Sequence, residues 1–327
     1  MSEALVPMPA SGRAVVAPRG GVAVALPAVI ADAGPEAVER FLEYFAAGIA
    51  NGRTRAAYGR AVGQFLAWCS SRGLGLRAIA PLHVAAYIRT HPGSVPTVKQ
   101  HLAAIRGLCD WLVVHQVLPV NPAASVRGPK HVVTKGATPV LTPAETRLLL
   151  DRIDPGRLVG LRDRALLSVM VFSFARVSAA VGMRREDYFR QGVRGWLRLH
   201  EKGGRRHDVP AHHRAGEALE AYLAAGGIGD GRAPLFQSVD RSGRLSGRRL
   251  GRRAALAMVK RRATAARLPA STCCHTFRAT GITAYLSNGG TLEHAQRIAG
   301  HASPKTTKLY DRTADAVSLD EIERIVI

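Results

Sequence analysis

Acidic residues are scarce in this 327-residue chain: 24 Asp and Glu stand against 46 Lys and Arg, a formal charge of +22. A surface so short of carboxylates suits a polyanion, most often nucleic acid, because basic side chains that neutralise phosphates release counterions. The excess is not confined to a tail: residues 1–130 carry 13 basic and 6 acidic side chains (+7), and residues 131–327 carry 33 and 18 (+15). Both halves are therefore candidates to touch DNA or RNA. The few acids form no converging carboxylate pattern, which argues against a metal-dependent transposase. Cysteine is equally sparse. Cys69, Cys109, Cys273 and Cys274 make no Cys-x-x-Cys pair, and an adjacent pair is poorly placed to chelate one zinc or to bridge. They read as reduced, mostly buried residues of a cytoplasmic protein with no metal and no other cofactor. No apolar run approaches the ~18–20 residues that a membrane span needs. "GVAVALPAVIADA" at 21–33 imitates the apolar part of a secretory leader, but Pro27 interrupts it and a long, proline-containing segment precedes it, so a leader is not expected.

What is present is helix after helix. Residues 1–34, rich in Ala, Pro, Gly and Val, read as a flexible arm. Beyond it, "GPEAVERFLEYFAAGIANG" at 34–52 carries a stripe of Val38, Phe41, Leu42 and Phe45 and is closed by Asn51-Gly52. "RTRAAYGRAVGQFLAWCSSRG" follows, with Tyr58, Val62, Phe65 and Leu66 inward and Arg53, Arg55 and Arg60 near its start. "PLHVAAYIRT" makes a third helix. A fourth, "SVPTVKQHLAAIRGLCDWLVVHQV", has Leu102, Ile105, Leu108 and Leu112 inward and Lys99 outward. Residues 35–125 thus predict a small all-helical domain, and the Pro/Gly/Lys-rich stretch over 126–140 a linker to a second domain, 141–327.

The second domain mixes signals. "LTPAETRLLLDRI" has a Thr-Pro helix start at Thr142. The next helix carries no charge from Ala165 to Ala175, so it is buried on every side, and Arg176 follows at once. A guanidinium leaving a buried helix is costly unless an acidic partner or a phosphate meets it. "GWLRLHEKGGRRHDVPA" at 195–211 switches to period two and predicts a hairpin with Lys202 at its turn and Arg205 and Arg206 beside it. From 241 to 267 there are ten basic residues and no acid, among them Arg241, Arg244, Arg248, Arg249, Arg252, Arg253 and Lys260. So one-sided a run favours a phosphate-tracking surface. In "STCCHTFRATGITAYLSNGG", His275 and Arg278 are three apart and share a helix face. "TLEHAQRIAG" then stops at Gly300, His301 falls in the turn, and Ser303-Pro304 starts a short helix that leads to Tyr310.

Taken in order, Arg176, Lys202, His275-x-x-Arg278, Gly300-His301 and Tyr310 resemble the tyrosine recombinase (phage integrase) family, in the motifs "FARVS", "EKGGRRHDVP", "HTFRATGITAYLSNGG" and "GHASPKTTKLYDR". The resemblance spans roughly residues 35–327. It implies a mainly α fold: a helical core-site-binding domain (SAM-like) followed by a mixed, mostly helical catalytic domain with a small β-sheet, both on double-stranded DNA. It also implies a site-specific recombinase or integrase that works as a homotetramer on synapsed DNA, without metal or ATP. By the same resemblance, Tyr310 would attack a phosphodiester to give a 3′-phosphotyrosyl bond, Arg176 and Arg278 would grip the phosphate, Lys202 would protonate the leaving oxygen, and His275 and His301 would assist proton transfer. Two other readings stay open at this point, a type IB topoisomerase-like enzyme and a catalytically inactive DNA-binding architectural protein. One position departs from the family pattern: three residues after the first arginine, where an acid is usual, stands Ala179. A final apolar stripe, Leu319, Ile322, Ile325 and Val326, predicts a tail helix capped by Ser318 that docks on its own catalytic domain or, as its place after Tyr310 and the resemblance imply, on a neighbouring protomer.

Overall fold

The computed structural model describes residues 26–131, 136, 138–201, 204 and 206–311. Lys202, Arg205, residues 1–25 of the expected arm and the expected tail helix lie outside the described residues. The chain forms two compact units, Met1–Val132 and Val133–Ile327.

The first unit is helical: α1 (Ala28–Ala31), α2 (Pro35–Glu43, continued by a wider turn over Tyr44–Gly48), α3 (Gly52–Ser70), α4 (Pro81–Thr90) and α5 (Val95–Val114). Residues 26–34 correct the expected arm. Pro27 does not break the apolar run; it starts α1, its carbonyl accepting the N–H groups of Ile30 and Ala31. Leu26, Val29 and Ile30 are buried with Phe41, Phe45, Phe65 and Ile105 in the core of this unit. Burial of side chains of this size is worth up to about 1.5–3 kcal/mol each, enough to order a short segment. Asn51 likewise does not close the helix before it but caps the one after, accepting from the N–H groups of Arg53 and Thr54. At the other end, Arg106 donates through Nε to the Ala123 carbonyl (3.0 Å) and through Nη2 to that of Val126, so the chain leaving α5 is held against the helices.

In the second unit α6 (Pro143–Asp151) opens with a reciprocal cap: Thr142 Oγ1 accepts from Glu145 N, and Thr142 N donates to Glu145 Oε2. The central helix α7 (Leu158–Phe172) is buried on every side, with Ala165, Leu166, Leu167, Val169 and Met170 all inaccessible. After the single turn α8 (Val177–Ala180) comes an antiparallel meander, β1 (Tyr188–Gln191), β2 (Arg194–His200) and β3 (Arg206–Pro210). Leu197 pairs with Val209, and Leu199 with His207. The alternation read in the sequence places Leu197, Leu199 and Val209 inward; β1 gave no such signal. Then follow α9 (His213–Gly226), a two-stranded ribbon of β4 (Gln237–Val239) and β5 (Leu245–Arg249), α10 (Arg252–Ala265), α11 (Cys274–Ser287), α12 (Leu292–Ala299) and α13 (Pro304–Lys308). Helix α7 packs against α9 on one side and α11 on the other.

A buried carboxylate ties this core together. Asp163 on α7 is fully inaccessible; its Oδ1 receives Nε and Nη2 of Arg162, and its Oδ2 receives Nε and Nη2 of Arg262 on α10. Removing the acid leaves a buried guanidinium without its counter-charge. We expect Asp163→Ala to lower unfolding free energy by about 3–5 kcal/mol, read from urea denaturation; a loss under about 1 kcal/mol would show that α10 is held by other contacts.

Candidate active site

The site grows from one close approach of two helices. Gly281 on α11 lies where a Cβ would stand 2.0 Å from the Val171 carbonyl and 2.8 Å from the Phe174 ring, so only glycine lets α11 rest on the end of α7. There α7 terminates, Ser173 bonding back to the Val169 carbonyl, and Phe174 adopts φ +54. That left-handed conformation costs a non-glycine residue about 1–2 kcal/mol, and the packing of Phe174 with Ala279 and Ile282 in a small apolar cluster under the site offsets it. The twist turns the Phe174 carbonyl toward α11 and sets Arg176 at the start of α8.

Arg278 is 1% exposed and its guanidinium gathers these segments. Nη1 donates to the Phe174 carbonyl and Nη2 to the Ala299 carbonyl at the end of α12 (2.6 Å). Nε is buried with no partner among the described residues. Helix α12 is closed by Gly300 at φ +58, a conformation that suits glycine. His301 follows, its Nδ1 2.8 Å from Thr307 Oγ1 on α13. The chain then delivers Tyr310, whose hydroxyl lies 2.6 Å from His275 Nε2 and whose carbonyl accepts from Thr283 Oγ1 at 2.9 Å. The Tyr310 ring stacks on His301, centroids 5.8 Å apart and planes 10° from parallel. Tyr310 and His301 are buried, while Arg176 and His275 keep an exposed side.

Two guanidinium groups govern the electrostatics. Burial, then the charges of Arg278 and Arg176 and the neighbouring His275, push the His301 imidazole down to about 3. Burial, followed by the same two arginines, also lowers His275. Arg278 itself drops to about 10, through burial and then Arg176, with Glu201 and Tyr310 pulling the other way. At neutral pH both histidines are uncharged and both arginines charged. A neutral imidazole whose Nε2 carries no proton accepts from the phenol, so His275 is placed as a base toward Tyr310.

Five of the six expected catalytic side chains, Arg176, His275, Arg278, His301 and Tyr310, thus meet in one place, and Lys202 lies outside the described residues. A residue outside the expected set joins them. Glu201 ion-pairs through Oε2 with Arg176 Nη1, and its Oε1 is 4.0 Å from Arg278 Nη1. Its signal was the strand period: Leu197, Leu199 and Glu201 point the same way, and a carboxylate on the inward face calls for a cation.

The expected DNA contacts divide. Arg53, Arg60, Lys99, Arg206, Arg241, Arg244, Arg248, Arg249, Arg252 and Arg253 are exposed. Arg55 is turned inward instead, Nε and Nη2 both donating to the Ile49 carbonyl, which closes the turn before α3. Lys260 is exposed and donates to the Ala270 carbonyl at 2.5 Å. Among the described residues no group of three His, Cys, Asp or Glu could hold a metal ion, and no helix is long and apolar enough to cross a membrane.

Residues 139–316 match the model of the phage integrase family. The chain belongs to that family. It is 30% identical over 289 residues to the tyrosine recombinase XerD of Pseudomonas aeruginosa, covering 85% of this chain and 93% of the relative. To XerC of Xylella fastidiosa it is 29% identical over 258 residues, 78% of this chain and 84% of the relative. In fold it is similar to XerH recombinase bound to a palindromic difH substrate (TM-score 0.66, 18% identity, 84% of each chain). It is also similar to lambda integrase residues 75–356 bound to a core site (TM-score 0.65, 17% identity, 86% of this chain and 98% of that one). The mainly helical fold with small antiparallel sheets is that of the tyrosine recombinases, and the chain is a site-specific recombinase.

The depressed His301 has a thermodynamic consequence. Between its ordinary 6.5 and about 3, the unfolded chain takes up a proton that the folded site refuses, so stability falls as pH falls through that window. We expect His301→Gln, which cannot titrate, to lose less stability than wild type between pH 7.5 and pH 4.5 in urea denaturation. A stability gap that stays constant with pH would mean that His301 is not held neutral.

Proposed function

We propose that this recombinase cleaves and rejoins double-stranded DNA at a specific site through a covalent 3′-phosphotyrosyl intermediate on Tyr310, without metal or ATP. The observation that carries the reading is the 2.6 Å pairing of the Tyr310 hydroxyl with a neutral His275, beside two guanidinium groups. A phenol with a pKa near ~10 is only about 0.1% ionised at pH 7, so its proton must leave as it attacks. His275 takes that proton, the phenolate oxygen bonds to phosphorus, and the bond to the 5′ oxygen breaks. Arg176 and Arg278 stabilise the charge that develops on the non-bridging oxygens, and the unpartnered Nε of Arg278 is a donor available to one of them. His301, stacked on the phenol ring, fixes its plane.

The leaving 5′ oxygen needs a proton, which we assign to Lys202. A 5′-hydroxyl of a second strand then attacks the phosphotyrosine and releases Tyr310, so the phosphodiester energy is conserved and no nucleotide cofactor is consumed. The basic residues on β5 and α10, with Arg206 on β3 and Arg53, Arg60 and Lys99 in the first unit, follow the duplex backbone. Strand exchange between two sites requires a homotetramer, with the tail over 318–327 as the docking element.

On a nicked suicide duplex, Tyr310→Phe is expected to bind DNA and form no covalent adduct, read by denaturing electrophoresis. An adduct surviving in the variant would remove Tyr310 as the nucleophile. Arg176→Lys and Arg278→Lys keep the charge and lose the planar fork, and should slow cleavage by roughly 10²–10³-fold. For Lys202→Ala the substrate decides: cleavage should be slow on ordinary DNA and recover on a 5′-bridging phosphorothiolate, whose leaving group needs no proton. Equal defects on both substrates would exclude Lys202 as the acid, and loss of wild-type cleavage in EDTA would point to a metal.

A further inference from the structure

We propose that Glu201 is the positioning residue of this site. Its carboxylate, delivered from the end of β2, holds Arg176 and Arg278 in register for the phosphate, a task for which helix α8 offers only the methyl group of Ala179. The inference rests on the phosphotyrosyl reading above. Three observations carry it. Glu201 is buried, its side chain 3% exposed, and it lies within ion-pair distance of both arginines, Oε2 on Arg176 and Oε1 4.0 Å from Arg278. Among the described residues no other carboxylate forms an ion pair with either of them. Ala179 is buried three residues after Arg176, on a helical turn that packs against β2, so the side of Arg176 where a helical acid would stand is filled by an apolar group.

The surroundings are built for the carboxylate. The cation charges on Arg176 and Arg278 disfavour one another, and Glu201 opposes that effect on Arg278. Among the described residues, His275 and His301 beside the pair contribute no negative charge: burial first, and then the two arginines, lower both imidazoles. Gly300 lies beside it, the place of a Cβ there being in ordinary contact distance, 3.4 Å, of Glu201 Cγ. Glu201 therefore sits where β2, α8 and the turn leading to His301 meet. Without its charge the two guanidinium groups separate or turn outward, and a displacement of about 1 Å in a group that grips the reacting phosphate is worth roughly 10²-fold in rate.

The test is single-turnover cleavage of a suicide duplex together with half-site affinity. Glu201→Gln keeps the shape and removes the charge. It should cleave about 10²-fold more slowly while binding a half-site within about 3-fold of wild type, a rate loss without an affinity loss. Restoring the charge from the neighbouring helix, in the double variant Glu201→Gln with Ala179→Glu, should recover at least about 10-fold of that rate. Should Glu201→Gln not fold by circular dichroism, Glu201→Asp, which keeps the charge one methylene short, is expected to show an intermediate defect that Ala179→Glu relieves. Cleavage by Glu201→Gln at the wild-type rate or faster overturns the proposal; faster cleavage would mean that the carboxylate occupies the place of the phosphate. A defect that Ala179→Glu leaves untouched in both backgrounds also overturns it. If wild type itself forms no adduct through Tyr310, the phosphotyrosyl reading fails instead, which separates the two outcomes.

Discussion

Everything at this site is referred to one buried guanidinium. Arg278 sits on α11, and its two terminal nitrogens reach the carbonyl that follows α7 and the carbonyl that ends α12. A single side chain therefore sets the spacing of three helices, and with them the start of α8 and the turn of His301. An arginine so deeply buried is tolerated because its two terminal nitrogens are met by backbone oxygens and a carboxylate stands close by. The left-handed Phe174, the bare Gly281 and the left-handed Gly300 all serve this arrangement: each brings a carbonyl or a helix end near enough to be gripped. Structural and chemical roles coincide in this one side chain.

The cost of concentrating two cations falls on their neighbours. His275 and His301 are held neutral because desolvation and the arginines act in the same direction on them. For a proton acceptor facing a phenol this is useful, since an imidazolium could not take the proton. The same field favours negative charge anywhere in its reach, whether on the carboxylate of Glu201, a phenolate or a phosphate. In the proposed reaction, fixed charges of this kind would supply the transition-state stabilisation that many nucleases draw from metal ions.

The positive charge of the chain has two destinations. Part of it is internal: Arg162 and Arg262 are locked onto Asp163, Arg55 onto the Ile49 carbonyl, Arg106 onto the chain leaving α5. The rest lies on the surface, where β5 and the outer face of α10 carry an almost unbroken run of exposed arginines. A basic run in a sequence therefore overstates the surface available to phosphate, because guanidinium groups are also the side chains best able to satisfy buried carbonyls and carboxylates.

Local chemistry determined much of this protein. Helix starts at Thr142 and Pro81, the buried character of α7, the hairpin and the order Arg176, His275, Arg278, His301, Tyr310 are all written in short stretches, because caps, periodicity and motif spacing act within a few residues. The start of the ordered chain is not legible locally, since whether "LPAVIA" is an arm or a helix depends on whether Phe41 and Phe65 are there to bury it. Strand β1 was invisible because an edge strand of four residues carries too little alternation to stand out. Only the tertiary structure decided which acid faces Arg176, for Ala179 and Glu201 are 22 positions apart and their exchange of place is a fact of packing between α8 and β2. The sequence by itself determined which groups could do chemistry on a phosphate; long-range packing decided which of them are charged, which are spent, and which carboxylate holds the rest in place.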